Sequence, residues 1–331
     1  VSAATKRPRI LSGMRPTGRL HLGNYLGALQ NWVALQGTSE NFHMVADWHV
    51  LTTDYEHTEE IRPNTLEMVA DWLAAGIDAE KSPCFVQSHV KEHTELHLIF
   101  SMLVTTSRLE RNPTVKEQAR DLNLEDHISY GHLGYPVLQA ADILLYKANL
   151  VPVGEDQVPH VELTREIARR FNALYGEVFP VPEPKLTHFP RLPGLDGRRM
   201  SKSVGNTILL SDSPEEIAAK VKTAYTDPKK IRLTDPGNPD GCVVFAYHRA
   251  FNAENAPGID AACRAGRLGC VADKRDLAAI MAEKLAPIRE RRKELEAHPE
   301  RVIEALRHGE ERARAVAQET MREVREAMKI G

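Results

Sequence analysis

The sequence predicts an α/β fold, a doubly wound parallel sheet followed by a helical unit. Three observations carry this expectation. Short apolar runs alternate with stretches of helical spacing through the first half of the chain. The first of these runs enters a helix through a turn punctuated by Pro16 and Gly18. Beyond residues 200–210 the pattern turns helical, ending in an amphipathic stretch with charges of both signs.

Residues 9–13 are a short apolar run and read as the first strand. From His21 the spacing becomes helical, with Leu22, Leu26, Leu29, Val33 and Leu35 forming one apolar stripe. Residues 42–46 and 84–87 are two further strand-like runs, and residues 59–75 between them are helical. A helix over 135–146, a strand over 150–153 and a helix over 157–174 continue the alternation. Residues 178–199, rich in proline and glycine, read as a loop joining two units. Ser213 before Pro214, Glu215 and Glu216 marks a helix start, since serine suits the N-cap and proline the first helical position. Near the end, Val316, Thr320, Val324 and Met328 share one face. The expected layout is an α/β unit over 1–200 with a short helical insertion, then a helical unit over 201–331 whose last helix is able to pack back on the first unit.

The chain has 331 residues, 42% of them hydrophobic, enough for a substantial core. Its 43 Lys and Arg nearly balance 46 Asp and Glu, a formal net charge of -3. That balance argues against coating nucleic acid through bulk charge but leaves room for a local basic patch on a folded RNA. The opening residues VSAATKRPRI are basic with no apolar stretch behind them, so no secretory leader is expected. No apolar run approaches membrane-spanning length. Four scattered cysteines read as reduced thiols rather than a disulfide framework. These features point to a cytoplasmic enzyme with no membrane association.

Two constellations carry chemistry. The first, Gly18-Arg19-Leu20-His21-Leu22-Gly23-Asn24, lies where a strand passes into a helix. A helix N-terminus offers free N–H groups and a positive dipole end to a triphosphate, and His21 adds a donor for phosphate oxygens. Gly23 has no Cβ to hold a flat adenine off the backbone. The same residues also suit a structural role, with His21 capping the helix and Gly23 relieving a crowded contact. The second, Arg198-Arg199-Met200-Ser201-Lys202-Ser203, is flanked by Gly194, Gly197 and Gly205. A cationic, hydroxyl-bearing centre on flexible flanks suits a clamp for a leaving pyrophosphate, binding charge as it develops. A solvated basic loop is the structural alternative.

In this order and on these elements, the pair resembles the HIGH and KMSKS signatures of class I aminoacyl-tRNA synthetases. The stretch GYPVLQAADILLY, residues 134–146, looks like the amino-acid-binding helix of the bacterial-type tryptophanyl-tRNA synthetases. Residues 151–157 (VPVGEDQ), with His160 and Glu162-Leu163-Thr164-Arg165, look like that family's next block. The resemblance runs nearly end to end, from Leu11 to the final helix. Asn24 stands where HIGH ends in histidine. Arg199 stands for the first lysine of KMSKS, keeping the charge but not the compact ammonium.

The resemblance implies a Rossmann-type catalytic domain over 1–200 and a helical anticodon-binding domain over 201–331. It implies activation of tryptophan by ATP, with Mg²⁺ on the phosphates, and transfer to tRNA(Trp) by a homodimer. His21, Arg199 and Lys202 are then the catalytic groups at the triphosphate. Arg15, Pro16, Thr17, Gly23 and Asn24 form the ATP floor; Gly154, Glu155 and Asp156 hold the ribose; Leu192 and Met200 flank the adenine; Ser201 and Ser203 complete the clamp. Glu155 and Asp156 also suit an ordinary first-turn role before the next helix.

Tryptophan selection is expected at Asp142, whose neighbours Ala140, Ala141, Ile143, Leu144 and Leu145 are apolar. A buried carboxylate can accept the indole N–H and rejects ligands that leave it unpaired. Tyr135 and Gln157 are implied near the substrate ammonium, and Leu11, Val151 and Val153 as apolar walls. His49 is implied close by, with a purely structural histidine as the alternative. Gln139, three residues before Asp142, should share its face of the helix.

No resident metal is expected. Cys242, Cys263 and Cys270 sit where some bacterial relatives hold an iron–sulfur cluster, but Asp273 occupies the fourth position, and colourless protein is expected. Lys220, Lys222, Lys229, Lys230 and Arg232 beside Tyr225 form a local basic run suited to tRNA phosphates and a stacked base, or a solvated helix end. Three other readings stay open: a tyrosyl-tRNA synthetase, a small nucleotidylyltransferase, and a synthetase paralogue with a partner-binding role.

Overall fold

The computed structural model describes residues 7–121, 127–186 and 192–331. The first six residues of the segment read for a leader, and residues 187–191 of the proline-rich loop, lie outside the described residues.

Five parallel strands make one sheet: Arg9–Met14 (β1), Glu40–Val45 (β2), Cys84–Val86 (β3), Leu150–Val153 (β4) and Glu183–Leu186 (β5). Their order is β3-β2-β1-β4-β5, the doubly wound class expected. Alternate side chains enter opposite cores. Leu11, Phe42, Met44 and Phe85 belong to one cluster, whereas Val45, Cys84 and Val86 belong to the other. Both faces of β2 and β3 are covered, so nearly all their side chains are buried.

After β1, Leu22–Asn24 (α1), a π-helical turn at Tyr25–Leu29 and Gln30–Leu35 (α2) form one helical run. Asp47–Leu51 (α3) follows β2, and Ile61–Ala75 (α4) packs with α1 and α2 on the Val45 face. Glu92–Ser101 (α5), Thr106–Glu110 (α6) and Pro113–Asp121 (α7) lead to Tyr130–Leu145 (α8) and Val158–Tyr175 (α9). Helices α5, α8 and α9 cover the Phe42 face.

The remaining helices are Pro214–Lys222 (α10), Val243–Phe251 (α11), Ala256–Arg264 (α12), Cys270–Ala297 (α13) and Pro299–Met328 (α14). Ser213 caps α10 as expected, its hydroxyl accepting the Glu216 N–H at 3.2 Å. Ile217, Val243, Leu277 and Met281 join the cluster that holds Trp72, so these helices extend the first core. Helix α14 runs past the exposed edge of β3 and serves both cores, with Val302 and Leu306 in one and Ala313, Ala317, Met321 and Val324 in the other. At the crossing stands Gly309, where a Cβ would come within 1.8 Å of the Cys84 carbonyl oxygen. Only glycine lets the two backbones meet there. Among the described residues no helix is long and apolar enough to cross a membrane.

The structure corrects several element bounds. Residues 183–186, expected within a connecting loop, form β5, in register with β4 from Leu150↔Glu183 to Val153↔Leu186. Pro184 masks the strand in the sequence but is tolerated at an edge, where its missing N–H has no ladder to break. Gln87, expected to end β3, begins a 3-10 turn. Helix α8 starts at Tyr130 rather than 135, capped by Ser129 Oγ, which accepts the His132 N–H at 3.0 Å. Gly131 and Gly134 hide that first turn, since glycine carries no side chain to show a periodicity.

Candidate active site

The direction of winding reverses between β1 and β4, and in such sheets a cleft opens beyond the strands' carboxyl ends at that point. These two strands are in register only at Ile10↔Leu150. Their ends part around a cavity of about 650 Å³.

One end of the cavity is built around Asp142, which lines it yet is only 1% exposed. Its Oδ1 accepts Gln87 Nε2 at 2.8 Å and His93 Nδ1 at 2.7 Å, and its Oδ2 accepts His49 Nε2 at 2.8 Å. The other His93 nitrogen meets the Tyr146 hydroxyl at 2.8 Å, which fixes the ring's orientation. Burial alone would raise the Asp142 carboxyl, but the hydrogen bonds from His49 and His93 hold it well below the usual carboxylate range. The site therefore presents a dry, ionised, oriented acceptor. Leu11, Met44, Ile143, Val151 and Val153 wall it with apolar surface. Gln139 also lines the cavity, and no hydrogen bond is formed by its amide among the described residues.

Beside this wall, the Tyr135 hydroxyl lies 2.9 Å from His160 Nε2, and Asn112 Nδ2 donates to His160 Nδ1 at 3.2 Å. Burial, reinforced by His49, pushes His160 down to about 4, so it is neutral near pH 7 and orients Tyr135 without adding charge. Gln157 lines the same side, its amide donating to Asp156 Oδ2 at 3.1 Å. Gly154 and Asp156 also line the cavity, whereas Glu155 is exposed and outside its wall. Asp156 Oδ1 lies 2.7 Å from where a Cβ at Gly154 would stand, so Asp156 folds back over this turn.

Outside the cavity wall, which no residue of 18–24 lines, His21 is the N-cap of α1. Its Nδ1 accepts the Asn24 N–H at 3.3 Å, and Asn24 Oδ1 accepts the His21 N–H at 3.1 Å. Capping and phosphate binding are thus compatible: an Nδ1 that accepts leaves the proton on Nε2, as a donor. Burial and then the Lys202 ammonium push His21 down to about 4. Gly23 meets the His21 ring at 3.0 Å and the Met200 sulfur at 3.4 Å from where a Cβ would stand. Its open face is therefore turned to those two side chains in this conformation.

The clamp loop lies on the signature loop. Lys202 Nζ donates to the Arg19 carbonyl at 2.7 Å and also to the Thr17 carbonyl. Burial lowers the Lys202 ammonium, against the pull of Asp71. Asn206 organises the loop from within: its Oδ1 accepts the Ser201 N–H at 2.8 Å and its Nδ2 donates to the Arg199 carbonyl at 3.1 Å. Ser201 and Ser203 pair through their hydroxyls at 2.9 Å. Arg15 and Arg199 reach the cavity wall, while Pro16, Thr17, His21, Gly23, Asn24, Leu192, Met200, Ser201, Lys202 and Ser203 do not line it.

Sequence reasoning missed part of this wall. Gln87 and His93 complete the Asp142 network from outside any motif, and only their burial beside a carboxylate reveals them. Thr114, Glu117 and Gln118 of α7 line the cavity, and Thr114 Oγ1 donates to the Asp156 carbonyl at 3.1 Å. The basic run is partly engaged within the chain. Lys220 pairs with Asp212 at 2.6 Å and Lys230 donates to the Leu233 carbonyl at 3.0 Å, whereas Tyr225 is exposed. Among the described residues no group of three or more His, Cys, Asp or Glu is placed to hold a metal.

The model of the class I tRNA synthetases of the W and Y family matches residues 3–286. The chain is 53% identical to the tryptophan–tRNA ligase of Thermotoga maritima, covering 97% of this chain and 99% of that relative. It is 45% identical to the tryptophan–tRNA ligase of Aquifex aeolicus, covering 97% and 100%. Its structure is similar to the tryptophanyl-tRNA synthetase of Campylobacter jejuni complexed with ADP and tryptophan, at 34% identity and a TM-score of 0.86, over 97% of this chain and 100% of that one.

Proposed function

The chain belongs to the class I tRNA synthetases of the W and Y family, and from that premise we propose that it activates L-tryptophan with ATP and transfers it to the 3′-terminal ribose of tRNA(Trp). Near-full-length identity to tryptophan–tRNA ligases carries tryptophan over tyrosine, and the observation in the structure that supports an indole ligand is the Asp142 site. Oδ1 already accepts two hydrogen bonds and Oδ2 one, which leaves an acceptor position on Oδ2 for the indole N–H. Leu11, Met44, Ile143, Val151 and Val153 give the wall around it apolar surface for a ring.

In this reading the tryptophan ammonium faces Tyr135 and Gln157, and its carboxylate points along the cavity toward the signature loop. A carboxylate oxygen forms a bond to the α-phosphorus while the bond to the pyrophosphate oxygen breaks. The chain forms no covalent intermediate; it positions groups and neutralises charge. Neutral His21 donates Nε2–H to a phosphate oxygen, and Arg199 and Lys202 bind the negative charge that grows on the leaving group. For Lys202 this means leaving the carbonyls of Thr17 and Arg19 for the triphosphate. Arg15, Pro16, Thr17, Gly23 and Asn24 form the ATP floor, with Leu192, Met200, Ser201 and Ser203 on the clamp side. Gly154, Glu155 and Asp156 take the ribose, supported by the two of them in the cavity wall. In the second step a ribose hydroxyl of tRNA attacks the activated carboxyl carbon and AMP leaves. In this reading Mg²⁺ would be carried on the ATP phosphates.

Helices α10 to α14, within residues 201–331, are the anticodon-reading unit in this reading, with the enzyme acting in the cytoplasm as a homodimer. Leu98 and Met102, about one turn apart at α5 and both exposed, support a subunit contact there. Tryptophan-dependent exchange of labelled pyrophosphate into ATP, followed by charging of tRNA(Trp), tests the proposal. Exchange that depends on tyrosine, or no exchange with either amino acid, would overturn it.

A further inference from the structure

Behind the signature loop lies an ion pair that the cleft itself does not expose. Asp71 of α4 is fully buried and Arg292 of α13 is 2% exposed. Asp71 Oδ1 accepts Arg292 Nη1 at 2.9 Å, and its Oδ2 accepts the Leu20 N–H at 2.6 Å. Arg292 is held on every side. Nη1 also donates to the Glu67 carbonyl at 2.6 Å, Nη2 donates to the Glu67 carboxylate, and Nε donates to Glu296 at 3.2 Å. Arg19 closes the network at the surface, through Glu67 at 2.8 Å and Glu296 at 3.3 Å.

The Leu20 N–H and the Arg19 carbonyl are two ends of one peptide group. That carbonyl is the one on which Lys202 rests at 2.7 Å. A line of hydrogen bonds therefore runs from Arg292 through Asp71 and the Arg19–Leu20 peptide to the clamp lysine, and the next residue along the chain is His21. A carboxylate bonded to one end of a peptide group orients its plane, and in a dry site it also strengthens the carbonyl at the other end as an acceptor. Burial pushes the Asp71 carboxyl up to about 6, even against the lowering pull of Arg292 and the Leu20 N–H. A buried carboxylate is costly unless fully paired, and this pairing is directed at one backbone bond of the signature loop.

We propose that Asp71, oriented by Arg292, is a positioning residue for tryptophan activation, acting through the Arg19–Leu20 peptide to set His21 and Lys202 against the triphosphate. The inference rests on the activation reaction proposed above. Because Arg292 comes from α13, the seating of the C-terminal helices is read directly at the signature loop.

The test compares two double variants with the wild type. Asp71→Asn with Arg292→Gln keeps a side-chain oxygen for the Leu20 N–H and an amide partner behind it. Asp71→Leu with Arg292→Met replaces the pair by apolar groups of similar volume, an exchange that buried ion pairs commonly tolerate. The apolar pair is expected to lower kcat for pyrophosphate exchange on the order of ten- to a hundredfold. Its tryptophan Kd by equilibrium titration should stay within about twofold, and the amide pair should keep kcat within about threefold of wild type. Full kcat in the apolar pair, or equal losses in both, would overturn the inference. If the apolar pair does not fold, Asp71→Ala with Arg292→Gln against Asp71→Asn with Arg292→Gln makes the same comparison. Absence of exchange in the wild type would instead sink the activation reading itself.

Discussion

The two ends of the cleft solve opposite problems. At the Asp142 end, a charge with almost no exposure is fully oriented by His49, Gln87 and His93 before any ligand arrives. At the signature end, Lys202 rests on the carbonyls of its own chain, in a loop organised by Asn206. The first arrangement resists change, because moving any member strands a buried polar group. The second is ready to exchange partners, because a triphosphate offers Lys202 more negative charge than two carbonyls do. Selection calls for a fixed acceptor, and catalysis for donors that gain most as charge develops.

The sharpest way to break this contrast is Asp142→Asn. It keeps the shape but sets an amide donor either against His49 or against Gln87 and His93. The expected loss in kcat/KM for tryptophan is about a thousandfold, read by pyrophosphate exchange. A loss under tenfold would mean that the apolar walls alone select the ring.

At the other end, Lys202→Ala should lower the activation rate about a hundredfold or more, the scale of removing one preorganised charge donor. Tryptophan affinity, measured by titration, should hardly move. Weakened tryptophan binding at normal turnover would show that the two ends are not separate.

A smaller effect concerns the core between them. His43, stacked on Trp32 at 4.9 Å, is pushed down to about 3 by burial alone. The folded state therefore refuses a proton that the unfolded chain takes up below about pH 6.5, so stability is full above that pH and falls as the pH drops. Between pH 7 and pH 5 this one residue should cost about 2 kcal/mol. Urea midpoints at the two pH values measure it. His43→Phe should flatten the slope, and an unchanged slope would assign the effect to His21 and His160 instead.

The smallest effect is expected at Gln139, whose unpaired amide faces the cavity. Gln139→Met should lower the efficiency for hydroxy-tryptophan relative to tryptophan by about threefold. An unchanged ratio would make Gln139 a structural residue.

How much could be read in advance differed by element. Strands β1, β2 and β4 and helices α4 and α9 stand out because burial on both faces, or on one stripe, imposes a periodicity. β5 was hidden by Pro184, and the start of α8 by glycines. In the site, contiguous stretches such as residues 18–24 and 198–203 were legible because the backbone alone brings their members together. Gln87, His93, Thr114 and the Asp71–Arg292 pair were not, since each meets its partner only after distant segments pack.

By itself the sequence determined the alternating architecture, the two signature loops and the identity of the buried acceptor, all of which depend on local order and spacing. The tertiary structure decided what state those groups are in. Asp142 is ionised because His49 and His93, from other elements, outweigh its burial. His21 is neutral because it is half-buried beside Lys202. The signature loop is held by a carboxylate from α4 and an arginine from α13, more than two hundred residues apart. Charge state and orientation depend on what surrounds a group in space, and neighbours in space are set by packing rather than by order along the chain.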